Sequence, residues 1–382
     1  MSKFLAERYK KIEPSPMMRM AAAAQNVENC IDLTLGEPDA PTPPEICEAL
    51  FQAAIEGCTH YAPGLGLIGL RDAISEYWAK KYNLRYGANE IFVTTGGSQA
   101  SLLAMQAILN PGEEVILLEP FFTFYEQHIT QAGGVPLFSM TGLEKHFLPG
   151  ADEVEAIVTD KTKAIIVNSP CNPTGAVYPR ETLEGLARIA EKHDLLVISD
   201  ELYEAFVYGA KHIPFATLPG MQERTITIGG MSKAYAMTGW RIGYAMGPAE
   251  IIKTMQVVGA PQTICVNTMV QEASEFAIRN CDKRIESMVS LFEKRVQFAS
   301  ELFASIPGLK ITKPSGSFYL FIDVAGTGMN GEEFAVKMLE EAGVVTVPGL
   351  SFGPHCTNYI RVACTVSNET MREAVERIKA VL

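Results

Sequence analysis

The chain has 382 residues, 47% of them hydrophobic and 20% charged, and its 32 basic and 44 acidic side chains leave a net charge of -12. That length supports a large core and two domains, and the acidic balance argues against nucleic acid as a main partner, because phosphate backbones need a basic face. No run is long enough to span a bilayer, "MSKFLAERYKKIEPSP" has no apolar signal core, and the eight cysteines include no C-x-x-C pair. No membrane contact, metal site or disulfide framework is therefore expected, and a reducing cytoplasm is the simplest compartment.

In chain order, residues 1–35 read as an arm and a short helix ending in the strand-like "CIDLTLG". "YAPGLGLIGLRDAI" follows, in which Gly64, Gly66 and Gly69 spell G-x-G-x-x-G. A dinucleotide-binding loop of that spelling should follow a buried strand, with an acid about 20 residues on, at the end of the next strand. Here "EGCTHYAP" is no apolar strand, and Glu90 precedes "IFVTT" instead of following it. A nicotinamide-dependent dehydrogenase is the weaker reading on both counts.

From about 45 to 285, helix-length and strand-length segments alternate. "EIFVTTGG", "EEVILLEP", "KAIIVNSP", "LLVISDE", "RTITIGG" and "WRIGYAMG" are short, apolar, mostly β-branched runs with helical stretches between several of them. That order favours an α/β fold with a mostly parallel sheet flanked by helices, and ligands at the carboxyl ends of its strands. A long helical run over roughly 265–305 then leads to "GSFYLFIDV", a helix, "VVTVPG", "YIRVAC" and a last helix, a smaller α+β domain.

The residues after each strand carry the chemistry. Gly96-Gly97-Ser98-Gln99 open a helix, whose free N–H groups and dipole suit a phosphate, although the same turn could be purely structural. In "NSPCNPTG", two prolines and a glycine hold Asn172 over the sheet end, and Asp200 ends "VISDELY" with Tyr203 three residues on. Taken alone, these are an ordinary turn and a helix cap. Lys233 is harder to dismiss. It sits just past a buried strand among small and apolar residues, where burial lowers an amine's pKa towards a nucleophile, and Arg241 follows eight residues later. An amine, an acid, a tyrosine, a guanidinium and a phosphate-suited helix end at one sheet edge form the set that pyridoxal phosphate needs.

With these motifs in order, and with "LTLGEPD", "YAPGLGLIGLR", "EPFFTFY", "SKAYAMTGWRIGY", "PSGSFYLF" and "RVACT" beside them, the chain resembles a class I aminotransferase. The likeness is to the aspartate-aminotransferase-like branch of the fold-type I pyridoxal-phosphate enzymes. It implies an arm with part of the small domain at 1–45, a large cofactor-binding domain at 46–285 and a small domain at 286–382. It also implies ping-pong transamination between an L-amino acid (aspartate, aromatic or neutral) and a 2-oxo acid such as 2-oxoglutarate. A carbon–sulfur β-lyase sharing the fold and cofactor is the alternative.

The resemblance assigns roles by position. Lys233 would bind the cofactor covalently and then shuttle the proton, and Asp200 would pair with the pyridinium nitrogen. Asn172 and Tyr203 would contact the cofactor's 3′-oxygen, and Phe122 would stack on its ring. Arg241 with Gly97, Ser98 and Gln99 would hold the phosphate. Arg361 would fork the substrate α-carboxylate, helped by Asn172 and the Gly36 backbone. Tyr61 would reach the phosphate of a neighbouring subunit's cofactor, making the enzyme a homodimer with shared sites. Three positions depart from the usual pattern. Gly230 lies where many relatives carry a phosphate-binding serine, Ser98 lies where some aspartate users carry lysine, and Met17 and Met18 are apolar. Together they tilt the expected donor from dicarboxylates towards neutral or aromatic amino acids.

Overall fold

The β-branched runs meet in one seven-stranded sheet. A computed structural model of the chain describes Phe4 and residues 14–382, so most of the expected arm at 1–13 lies outside the described residues. The chain opens with α1 (Pro16–Ala24), β1 (Ile31–Asp32), α2 (Pro44–Ile55) and α3 (Ile68–Tyr82). The alternating region follows as β2 (Ile91–Thr94), α4 (Gly96–Ile108), β3 (Glu114–Glu119), α5 (Tyr125–Gln131), β4 (Val135–Met140), α6 (Ala151–Glu155), β5 (Thr162–Asn168) and α7 (Arg180–Lys192). It continues through β6 (Leu196–Asp200), β7 (Thr225–Gly230), β8 (Gly243–Met246) and α8 (Ala249–Thr263).

The order across the sheet is β2-β8-β7-β6-β5-β3-β4, and every pairing is parallel except the two made by β8. Helices cover both faces, which is why the central strands are buried along their length instead of alternating. On one face Leu103, Ile252 and Met255 of α4 and α8 join Ile166, Ile198 and Ile228. On the other, Leu183, Leu186 and Ile189 of α7, at helical spacing, pack on Ile165 and Val197.

The helical run over 265–305 is two helices, α9 (Thr268–Asn280) and α10 (Asp282–Ala304), broken at Cys281. Beyond them lie β9 (Lys310–Ile311), β10 (Tyr319–Asp323), α11 (Gly331–Lys337), β11 (Val344–Val345), β12 (Val347–Pro348), β13 (Tyr359–Ala363) and α12 (Asn368–Val381). A four-stranded antiparallel sheet runs β12-β13-β10-β9. α12 starts where the Ser367 hydroxyl accepts from the Thr370 N–H, and it buries Met371, Ala374, Val375 and Ile378, one stripe at 3.6-residue spacing.

Two segments differ from their sequence reading. "CIDLTLG" contributes only Ile31 and Asp32 to a ladder, with β11. The Asp32 carboxylate turns back to accept from the Thr34 N–H and hydroxyl, which ends the strand. The G-x-G-x-x-G loop packs on the sheet edge: Leu65 C=O accepts from Val93 N–H of β2. Gly66 has φ +102°, and a Cβ there would lie 2.4 Å from the Val93 side chain. That glycine allows close backbone approach to the edge strand.

Candidate active site

The carboxyl ends of β3, β5, β6 and β7 open into a cavity of about 380 Å³, closed on its other side by α1, the Thr34–Gly36 segment, Tyr319 and Arg361. Of the residues singled out in the sequence, Gly36, Gly97, Ser98, Phe122, Asn172, Asp200, Tyr203, Lys233, Arg241 and Arg361 all line it. Gln99 and Tyr61 do not. The Gln99 carboxamide oxygen instead accepts from Thr95 N–H at 2.7 Å, at the start of α4. Tyr61 is 80% exposed and borders a separate groove with Cys265–Met269.

Asp200 is the last residue of β6, buried. Its Oδ2 accepts from the Tyr125 hydroxyl at 2.5 Å and its Oδ1 from Leu202 N–H at 3.2 Å. Burial raises its pKa to about 6, against the pull of those two hydrogen bonds. At neutral pH it is an anion held where water does not reach. Asn168, at the end of β5, braces the neighbouring strand ends: its amide donates to Asp200 C=O at 3.0 Å, and its Oδ1 accepts from Asn172 N–H at 2.9 Å.

Lys233 follows β7 by three residues, and its Nζ donates to Gly36 C=O at 2.5 Å. The side chain is only partly buried because it faces the cavity, but the walls still exclude enough water to matter. That desolvation, with the Arg361 charge second, lowers its pKa to about 8. A substantial share of this amine is neutral near pH 8, as a nucleophile or proton carrier must be. The Tyr203 hydroxyl lies 2.7 Å from that of Tyr319, and burial raises the pKa of both, so both keep their protons at neutral pH.

Arg361 sits on β13 opposite Phe321 and Val347, and is 4% exposed. Its Nη2 donates to Thr34 C=O at 2.6 Å and its Nη1 to Asn172 Oδ1 at 3.2 Å. The guanidinium packs against the rings of Tyr319 and Phe352, 4.6 and 5.0 Å from their centroids. Among the described residues it makes no ion pair, and its Nε has no hydrogen-bond partner. A buried cation without a counter-ion costs several kcal/mol. The arrangement suits an incoming carboxylate.

The pyridoxal phosphate expected from the sequence fits these residues. α4 opens with Gly96, Gly97 and Ser98, whose N–H groups have no partner within the helix. Gly96 has φ +76°, and a Cβ there would lie 2.8 Å from Arg241 Nη2; a Cβ on Gly243 would lie 2.7 Å from the Gly96–Gly97 peptide. The cradle exists because all three positions lack side chains. At Gly230 a Cβ would meet Leu202 at 2.9 Å, so a serine has little room, while the Ser232 side chain lines the cavity two residues on.

Sequence reading missed Tyr125, Asn168 and Tyr319. Tyr125 and Tyr319 lie inside motifs already singled out, "EPFFTFY" and "PSGSFYLF", but which aromatic faces the cavity depends on packing that spacing does not reveal.

A profile of the family described as "Aminotransferase class I and II" matches residues 28–378. An aspartate aminotransferase of Pyrococcus abyssi is 40% identical, over 99% of this chain and 98% of its own. An aromatic-amino-acid aminotransferase of Thermococcus litoralis is 38% identical, over 99% and 98%. Among solved structures, the Thermus thermophilus aspartate aminotransferase with maleate superposes with a TM-score of 0.94 at 38% identity, covering all of both chains.

Proposed function

The chain belongs to the class I and II aminotransferases, which use pyridoxal phosphate, and on that footing we propose that its preferred amino donors are neutral or aromatic L-amino acids. The observation that carries this reading is the cavity wall made by α1 and the segment after β1. It is formed by Met17, Met18, Ala21 and Leu35, and the described side chains add no cation beyond Lys233, Arg241 and Arg361. Arg361 is committed to the α-carboxylate, and Lys233 and Arg241 lie at the cofactor end. Among the described residues of one chain, a distal carboxylate would therefore face thioether and alkyl groups, whereas an apolar side chain is desolvated there at a gain.

Bound cofactor supplies the electron sink for breaking the Cα–H bond. Asp200 would hold the proton on the pyridine nitrogen, and the Gly97 and Ser98 backbone with Arg241 would hold the phosphate. Asn172 and Tyr203, the latter braced by Tyr319, would contact the ring oxygen. The Arg361 fork and the Asn172 amide orient the substrate so that its Cα–H faces Lys233 Nζ, which takes that proton and returns it. The net reaction moves the amino group from the donor, which departs as its 2-oxo acid, to a second 2-oxo acid bound at the same site, with the cofactor, when bound, as the carrier.

The same reading assigns cofactor binding to residues 46–285, which hold the seven-stranded sheet, and the four-stranded sheet to the small domain at 286–382. A homodimer is part of it. Phe51, Ile55, Tyr61, Ile68 and Ile264 are each more than half exposed, an apolar set suited to a second copy that would bring Tyr61 to its partner's phosphate site. Among the described residues no helix is long and apolar enough to cross a membrane, and all eight cysteines are free, which supports a cytoplasmic setting.

A half-reaction screen tests the donor assignment by following the cofactor's absorbance with each amino acid. Phenylalanine, methionine or leucine should react faster than aspartate. A preference for aspartate would overturn it, and release of pyruvate and ammonia from cysteine or cystathionine without an acceptor would make the enzyme a β-lyase.

A further inference from the structure

Arg361 has a neighbour, Phe352, whose place is fixed from the other sheet. The short loop Gly349–Phe352 and the turn after it join β12 to β13. Phe352 is fully buried and covers one face of the Arg361 guanidinium. Its C=O accepts from Phe121 N–H at 2.9 Å, one residue before Phe122 in the cavity wall. Ser351 Oγ accepts from Met17 N–H at 3.0 Å, so α1 also rests on this loop.

The loop is held by one buried carboxylate. Glu119 ends β3, and its side chain is 1% exposed. Its Oε1 accepts from the His355 N–H at 3.1 Å, and its Oε2 lies 2.7 Å from His355 Nδ1. Main chain and ring of His355 thus meet the same carboxylate. Gly353 makes room: its φ is +141°, and a Cβ there would fall 2.0 Å from Glu119 Oε1. Burial and, second, the Glu119 charge raise the pKa of Glu126 on α5, and among the described residues the side-chain oxygens of Glu119 have His355 alone as a hydrogen-bond partner.

We infer that Glu119 and His355 are positioning residues, a clasp that ties the β12–β13 loop to the end of β3 and so sets the grip of Arg361 on the substrate carboxylate. Neither touches substrate or cofactor; the clasp acts through Phe352. It rests on the reading of Arg361 as the carboxylate site.

Steady-state and half-reaction kinetics of the holoenzyme test it. His355 is half-exposed, so His355→Ala is expected to fold, and its donor KM should rise about fivefold to tenfold, the scale of one lost hydrogen bond. Its kcat and visible cofactor band should stay as in the parent. His355→Asn, whose amide can donate from where Nδ1 stood, should recover most of the affinity. Glu119→Ala with His355→Ala should be no worse than Glu119→Ala alone, as expected for two halves of one contact. An unchanged KM in His355→Ala overturns the clasp, as does a rise that His355→Asn fails to recover, or a parallel loss of kcat and cofactor band. Arg361→Lys, run alongside, separates the two failures. If it raises KM while His355→Ala does not, only the clasp falls; if it leaves KM unchanged, the carboxylate assignment beneath the clasp falls as well.

Discussion

The two walls of the cavity are built on opposite plans. On the wall made by the seven-stranded sheet, polar groups answer one another: Tyr125 to Asp200, Asn168 to both Asp200 and Asn172, Tyr203 to Tyr319 on β10 across the cavity. Asn168 and Asp200 end buried strands, and the others are held against them from α5, β10 and the loops past β5 and β6. The facing wall, from α1 and the segment after β1, presents Met17, Met18, Ala21 and Leu35, and Met18 and Leu35 are each 53% exposed. The first wall fixes proton positions by hydrogen bonding inside a region where water is scarce. The second offers flexible, weakly committed surface, the kind that can accept several side chains. On the proposed roles, reaction type and donor choice reside in different parts of the molecule and should respond separately to mutation.

The largest effects test the rigid wall. Lys233→Ala should lower turnover by on the order of 10⁴-fold, the upper range for a general base, and should remove the visible cofactor band. Retained turnover would dissolve the contrast between the walls. Asp200→Asn should cost on the order of 10³-fold in kcat, typical of a lost electrostatic partner. It should also change the cofactor-free protein in the opposite sense. The carboxyl's pKa is raised in the fold to about 6 from 3.8, so its neutral form is favoured there. The associated stability is complete below about pH 4 and lost as pH rises through 6. The asparagine variant should therefore melt higher than the parent above pH 6, with the difference closing towards pH 4. A Tm gap that does not depend on pH would show that Asp200 ionises without penalty.

Arg361→Lys joins the two walls and should raise donor KM by about 10- to 100-fold while leaving the cofactor band intact, because an ammonium cannot reproduce the fork. The smallest effect belongs to the apolar wall. Met18→Ala should lower kcat/KM for phenylalanine by about threefold and leave alanine unaffected, the scale of a partly buried methylene or two. A loss shared equally by both donors would mean that α1 serves the chemistry as well, and the division between the walls would blur.

How much of this was legible in the sequence follows the same division. The strand-end residues announce themselves because buried parallel strands are short, apolar runs, and a polar residue just past one stands out. Asp200 and Asn172 follow such strands, yet alone they read as a cap and a turn and take their roles from the resemblance, while Lys233 stands out by its apolar setting. The hydrogen bond from Tyr125 to Asp200 was not visible: Tyr125 is the one aromatic of "EPFFTFY" with a hydroxyl, but nothing in the spacing says that the start of α5 turns it towards the end of β6. A mixed sheet was expected, but not that β8, between β2 and β7, is its antiparallel strand, because a strand's direction leaves no mark on its composition. The break at Cys281 was read through as one helix because helical spacing resumes at Asp282. The clasp at Glu119 joins residues 236 apart in sequence, and no local pattern pairs them.

The meeting of β8 with the start of α4 has a consequence for how this molecule can vary. With Gly96, Gly97 and Gly243 packed main chain against main chain, a substitution there must displace backbone or the Arg241 and Leu202 side chains. Descendants of this sequence, natural or from a mutagenised library, have few options at that end of the cavity and many along α1. New substrate preferences should therefore accumulate on the N-terminal helix while the anchoring end stays the same from one lineage to the next.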